Sequence, residues 1–280
     1  MTTVLERPTA STDGAVVDKR VVRRRLGPGR RIPFSLAIGP ILLVGLWWLL
    51  SATGRLDPRT LSEPWVVAET ARDLIETGRL QEALKTSAVR AFAGLGLGTL
   101  IGTVLALMSG LSRVGEAVID GPVQVKRAIP TLALLPLLVL WLGITEEMKI
   151  ITIALAVMLP VYIHTHNGLR SIDGRYAELA ETVDISRPEF IRAVVLPGAM
   201  PGFLLGMRFA VTTALLSLVV VEQINSTSGI GYMITLASHY GQTEVIVVGL
   251  VVYALLGLTA DGTVRLIERK ALAWRRTLGS

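Results

Sequence analysis

The chain has 280 residues, 51% of them hydrophobic and 18% charged, with a net charge of +6, three histidines and no cysteine. A soluble domain carries about 25% charge in amphipathic patterns, whereas here long apolar blocks alternate with short charged stretches, as in a helical membrane bundle. The composition excludes disulfides and zinc–thiolate sites, argues against a multi-histidine metal centre, and assigns the basic excess to membrane-flanking loops with no nucleic-acid partner.

Residues 1–33 are polar and become basic through Arg23, Arg24, Arg25, Arg30 and Arg31. They hold too little apolar surface for a core, so a disordered basic cytosolic tail near anionic lipid is expected. The run Phe34–Ala52 has the length of a spanning helix and exceeds the apolar core of a signal peptide. Thr53–Ser87 is mixed in charge, with a helical pattern around Trp65–Glu76, and predicts an extramembrane or interfacial helix. Further apolar segments are Ala88–Leu111, about Val123–Leu142, Met148–Gly168, Pro201–Gln223 and Glu244–Ile267, each near the ~20 residues that cross a hydrocarbon core. A transmembrane domain over 34–267 is therefore expected, its core starting near 84, with a basic cytosolic tail over 268–280.

Loop charge sets the orientation. Arg113, Lys126 and Arg127 follow the second span, Arg170, Arg175, Arg187 and Arg192 follow the fourth, and Arg265, Arg269, Lys270, Arg275 and Arg276 lie at or after the end of the sixth. The intervening stretches Ile144–Lys149 and Asn225–Thr243 carry almost no Lys or Arg. Both termini are expected in the cytosol, which requires an even number of spans, and six transmembrane α-helices fit. Pro130, Pro136 and Pro160, with Gly94, Gly96, Gly98 and Gly102, predict broken or closely packed helices.

The longest cytosolic loop, between spans four and five, predicts two short helices. One covers Tyr176–Val183; the second begins at Ser186, where Ser186-Arg187-Pro188-Glu189 has the form of a capping box. Mixed charge suits this protrusion to a protein partner. The stretch resembles the signature loop of binding-protein-dependent ABC importer permeases, E-A-A, three residues, G, nine residues, I-x-L-P. Its positions fall on Glu178, Leu179, Ala180, Asp184, Val194, Leu196 and Pro197. Asp184 replaces the glycine, and Asp is among the few residues that tolerate a left-handed bend. Leu61–Pro64, Arg127–Pro130, Leu135–Leu137, Trp141–Gly143, Val221-Glu222 and Gly229–Tyr232 are similar to the nitrate/sulfonate/taurine branch.

The resemblance implies a permease of the cell inner membrane, multi-pass, working with a cytosolic ABC ATPase dimer, a second permease copy or paralogue and an extracytoplasmic solute-binding protein. It implies that the signature loop is a coupling helix seated on the ATPase, and that the cargo is a small organic or inorganic anion such as sulfonate, taurine or nitrate. The chain has no G-x-x-x-x-G-K-[ST] run, so ATP and Mg are expected in the partner ATPase, with no cofactor and no enzyme activity here.

Arg90, Glu222, Gly229, Gly231 and Tyr232 are candidates for a translocation path or gate. Plainer readings stand beside them: Arg90 snorkels, Glu222 reaches water at the end of its span, and Gly229–Gly231 forms a turn. Arg208 is open to the same two readings. His164 and His166 project about 200° apart on a helix, which disfavours a metal pair. A secondary transporter or channel calls for more mid-membrane charge, and an intramembrane enzyme for a catalytic constellation, than the spans contain.

Overall fold

The computed structural model describes residues 35–274, so the expected tail over 1–33 and residues 275–280 lie outside the described residues. Of the described residues, 46–274 belong to one compact unit. Among the described residues every regular element is helical: α1 Ser35–Ala52, α2 Pro64–Glu76, α3 Arg79–Leu111, α4 Arg113–Ala128, α5 Leu135–Leu142, α6 Glu146–Arg170, α7 Arg175–Thr182, α8 Arg187–Phe190, α9 Leu196–Asn225, α10 Ile230–His239 and α11 Thr243–Ala271. A 3₁₀ turn, Thr131–Leu134, precedes α5, and a π turn, Ile191–Val195, joins α8 to α9. Among the described residues four helical runs are long and apolar enough to cross a membrane: α3, α6, the run Arg187–Ile224 and α11.

The third expected span is not one continuous helix. Pro130 forces Ile129 into extended backbone (φ −98°, ψ 117°), which ends α4 at Ala128. The chain restarts through the 3₁₀ turn into α5, and the two halves meet at 89°. Lys126, expected as a loop charge, instead pins this bend: its ammonium donates to the Thr131 hydroxyl (2.6 Å) and the Leu155 carbonyl (2.8 Å).

Helix directions show what the bent pair does. Gly94 lies against Ile153, Gly98 against Val157, Gly102 against Val161 and Gly110 against Leu169, so α3 and α6 run parallel. The chain must therefore return along α4 and α5 between them. At Gly98 an added Cβ would stand 2.5 Å from the Ala154 carbonyl oxygen, so this small-residue face lets the backbones approach more closely than any side chain permits. Gly96, grouped with these in the sequence, has open space around it. α9 runs antiparallel to α6, with Gly206 against Pro160 and His164, and Met148, Ile153, Val157 and Val161 share a core with Ala210, Ala214, Leu218 and Val221.

α3 begins at Arg79, well before the expected Ala88, because the left-handed Gly78 (φ 75°) ends α2 and lets the next helix start at once. The polar first turns of α3 thus belong to the bundle. Val67 and Leu74 of α2 pack with Ile230, Ile234 and Val248, placing α2 beside α10 and α11. The bundle consequently has an α10 end and, opposite, an α7 end. α11 continues through Ala271, so the expected tail from 268 is helical at its start.

Candidate functional site

At the α7 end the signature segment forms a kinked protrusion. After α7, the Ile185 N–H donates to the Ala180 carbonyl (2.9 Å) and the Asp184 N–H to the Glu181 carbonyl (3.3 Å). This is a Schellman ending, and it requires a left-handed residue at Asp184, where φ is 56°. The short carboxylate side chain fills the role that glycine has in the resembled pattern. Ser186 is the N-cap of α8 and Pro188 lies in its first turn, but no side-chain capping bond forms, so the expected capping box is not made. Pro197 lacks the N–H that would reach the Ala193 carbonyl, and the helix passes this point as a π turn.

The signature residues divide by burial. Glu178, Leu179 and Asp184 are exposed, and Tyr176, Val183 and Ile185 add apolar area to the same protrusion. Ala180 is buried. Val194 and Pro197 instead line a cavity of about 710 Å³ with His164, Asn167 and Tyr176. Leu196 is exposed at the start of α9. Arg187 donates from Nη2 to the Leu111 carbonyl (3.1 Å), joining the protrusion to the end of α3.

At the α10 end Arg90 and Glu222 meet inside the protein. Arg90 is 2% exposed and Glu222 0%, so neither the snorkelling reading nor the water-reaching reading holds. The five N–H groups of a guanidinium are all engaged here. Nε and Nη2 donate to the two carboxylate oxygens of Glu146 (2.6 and 2.7 Å), Nη1 to Glu222 (2.8 Å) and the Ser228 carbonyl (2.7 Å), and Nη2 also to Ser228 Oγ (3.0 Å).

Glu222 in turn accepts from Ser87 Oγ (2.8 Å), the Gly231 N–H (2.9 Å) and Tyr253 Oη (3.0 Å). The Ser87 hydroxyl accepts the Ile230 N–H (2.9 Å), so two orphan donors at the start of α10 end on this cluster. Gly229 (φ 106°) sits against the Glu222 carboxylate, where any Cβ would overlap it. A buried charge persists only when paired and fully hydrogen-bonded, and both conditions are met.

The structure therefore brings together Arg90, Glu222, Gly229 and Gly231, but not Tyr232. Tyr232 faces a groove of about 180 Å³ with Arg79, Glu82 and Ser228. Sequence reasoning missed Ser87, Glu146, Lys149, Ser228 and Tyr253. Lys149 donates to Glu146 (2.8 Å). A lysine one turn inside an apolar run was a usable signal for it; Ser87 and Ser228 offered none. His164 stacks on Phe209 and His166 on Tyr162, each as a packed ring. Arg208 lies 3.5 Å from Asp261 of α11, an ion pair between neighbouring helices.

Comparison with known proteins agrees with this architecture. The family model described as "Binding-protein-dependent transport system inner membrane component" matches residues 98–272, which include the α7–α8 protrusion and Glu222 but not Arg90. The chain is 41% identical to an Escherichia coli permease named for aliphatic sulfonates transport (SsuC), covering 88% of this chain and 92% of that protein. It is 35% identical to the Bacillus subtilis protein of the same name, over 95% of each chain. The taurine transport system permease protein TauC of Escherichia coli is 29% identical over 86% of this chain and 90% of its own. A chain from the crystal structure of an amino acid ABC transporter with histidines superposes with a TM-score of 0.61 at 20% identity, covering 71% of this chain and 97% of that one, a likeness of fold. The extent of the family match and the identity to these permeases make the chain a member of the binding-protein-dependent transport system inner membrane components, the membrane permeases of ABC transporters.

Proposed function

We propose that this permease is the translocating subunit of an ATP-driven importer for a small organic or inorganic anion, with sulfonates and taurine the first classes to test. The names of its relatives support that cargo class. In this reading α1 counts as a sixth span, in addition to α3, the bent α4–α5 pair, α6, α9 and α11. Both termini then lie in the cytosol, the α7 end faces the cytosol and the α10 end faces outward. A second copy or paralogue completes the path, lipid surrounds the pair, and an extracytoplasmic binding protein delivers the cargo. ATP and Mg act in a cytosolic ATPase dimer.

One observation carries the reading. The α7–α8 protrusion leaves Tyr176, Leu179, Val183 and Ile185 uncovered on a segment whose fold is otherwise closed by backbone hydrogen bonds. Exposed apolar area of this kind, rimmed by charge, is what a docking partner covers. Arg187 then passes movement of the protrusion to α3.

The test is co-purification of the ATPase with tagged permease in detergent, paired with ATP-dependent uptake of ethanesulfonate in proteoliposomes. Wild-type chain is expected to retain a stoichiometric ATPase. Glu178→Arg is expected to keep membrane insertion while losing coupled uptake, and is a cleaner variant than any change at buried Ala180. Normal uptake by Glu178→Arg overturns the coupling assignment, and uptake without any ATPase overturns the importer reading in favour of a gradient-driven transporter or channel.

A further inference from the structure

At the α10 end the Arg90–Glu222 pair hides both partners, and the Arg90–Glu146 pair does not. Arg90 and Lys149 are 2% and 4% exposed, whereas the side chain of Glu146, the carboxylate that touches both, is 56% exposed. One Glu146 oxygen accepts from Arg90 Nη2 at 2.7 Å and from Lys149 Nζ at 2.8 Å; the other accepts from Arg90 Nε at 2.6 Å. Among the described residues the Lys149 ammonium has no other hydrogen-bond partner. Two buried cations thus converge on a single carboxylate that water already reaches.

Glu146 is also the removable member of the group. It stands in the first turn of α6, and turning its side chain outward returns the carboxylate to solvent. Arg90 would still be held through Nη1 by Glu222 and the Ser228 carbonyl. Its free Nε–Nη2 edge would then point, beside Lys149 Nζ, at the vacated space. That edge fits a carboxylate or sulfonate through two parallel N–H···O bonds, and an ammonium alongside suits a third oxygen. With Glu222 retained and Glu146 gone, two positive charges face one negative, so a monoanion restores neutrality.

We propose that Arg90 and Lys149 form an anion site that Glu146 occupies as a built-in competitor, and that the site takes the monoanionic oxyanion head group, sulfonate or carboxylate, of the cargo. The assignment rests on the anion-importer reading above and adds to it the residues that meet the cargo at the α10 end. While Glu146 is in place the bundle end is closed; the incoming anion exchanges with it and frees the α6 end of that contact to α3.

The site is tested on full-length chain purified in detergent, without ATP or partner proteins, by calorimetric titration with ethanesulfonate, using choline chloride as the control. Removing an internal competitor raises apparent affinity by the inverse of the competent fraction, so Glu146→Gln is expected to bind ethanesulfonate about tenfold or more tightly than wild type. Glu146→Asp, which draws the carboxylate back but keeps its charge, is expected to fall between them and covers the case in which Glu146→Gln does not fold. Lys149→Met on either background is expected to abolish the gain. Equal affinity in wild type and both Glu146 variants, or a gain that survives Lys149→Met, overturns the site. ATPase retention and uptake are measured on wild type separately, so failure of the importer reading is distinguishable from failure of the site.

Discussion

The two ends of the bundle handle their exposed and buried groups in opposite ways. At the α10 end five helices send charged and polar groups inward, and each hydrogen bond of the Arg90 guanidinium is answered within the chain. At the α7 end the backbone is closed by a Schellman turn, while Tyr176, Leu179, Val183 and Ile185 are exposed among the described residues. A polar network that completes itself fixes shape, because breaking one member strands another in a low-dielectric interior. An apolar surface left open fixes nothing by itself and gains its stabilisation from whatever covers it. The first end closes on itself everywhere but at the exposed Glu146 carboxylate; the second leaves its apolar face for a partner.

Breaking the closed end has the largest expected effect. Arg90→Met strands Glu222 without its cation, and loss of one partner of a buried pair costs about 3–5 kcal/mol, read as a lowered unfolding midpoint in detergent. Adding Glu222→Gln to that variant is expected to recover part of the loss, since the stranded charge is gone; no recovery would mean that Arg90 acts through packing alone. An intermediate effect is expected midway between the ends. Gly98→Ala forces a methyl group against the Ala154 carbonyl in the α3–α6 seam, at a cost of about 1–3 kcal/mol in the same assay.

The smallest effect on stability is expected at the open end, and there it sharpens the comparison. Leu179 is 58% exposed, so Leu179→Asp is expected to shift stability by no more than about 0.5 kcal/mol. Yet ATPase retention on affinity resin is expected to fall about tenfold or more, as for a central apolar contact of an interface. A Leu179→Asp chain that unfolds early but keeps its ATPase would reverse the assignment of the two ends.

Much of the architecture could be read in the sequence because lipid leaves few choices. Apolar length located α3, α6, α9 and α11, and the signature segment announced its bend, with Asp184 taking the left-handed position for which glycine is the usual residue. Pro130 was legible as a breaker inside the third apolar segment, but not the 89° between the two helices that its restriction on Ile129 produces. The charged cluster was only half legible. Arg90 and Glu222 stood out as ionisable residues near spans, but their partnership joins positions 132 residues apart. It follows from α3 and α9 running antiparallel, which no local pattern states. Glu146 lies in a stretch read only for its scarcity of Lys and Arg, Ser87 ends a loop read as extramembrane, and each is enlisted only by tertiary geometry.

The closed cluster also constrains how the chain can be made. Its members are spread from Ser87 to Tyr253, so during synthesis Arg90 emerges long before Glu222, and Glu222 before the tyrosine that completes its bonds. Until α11 has arrived, the Glu222 carboxylate lacks the Tyr253 hydroxyl, whereas every partner of the Arg90 guanidinium has already been made. A truncation ahead of Tyr253 therefore removes one donor to Glu222 and leaves the Arg90–Glu222 pair with its other partners.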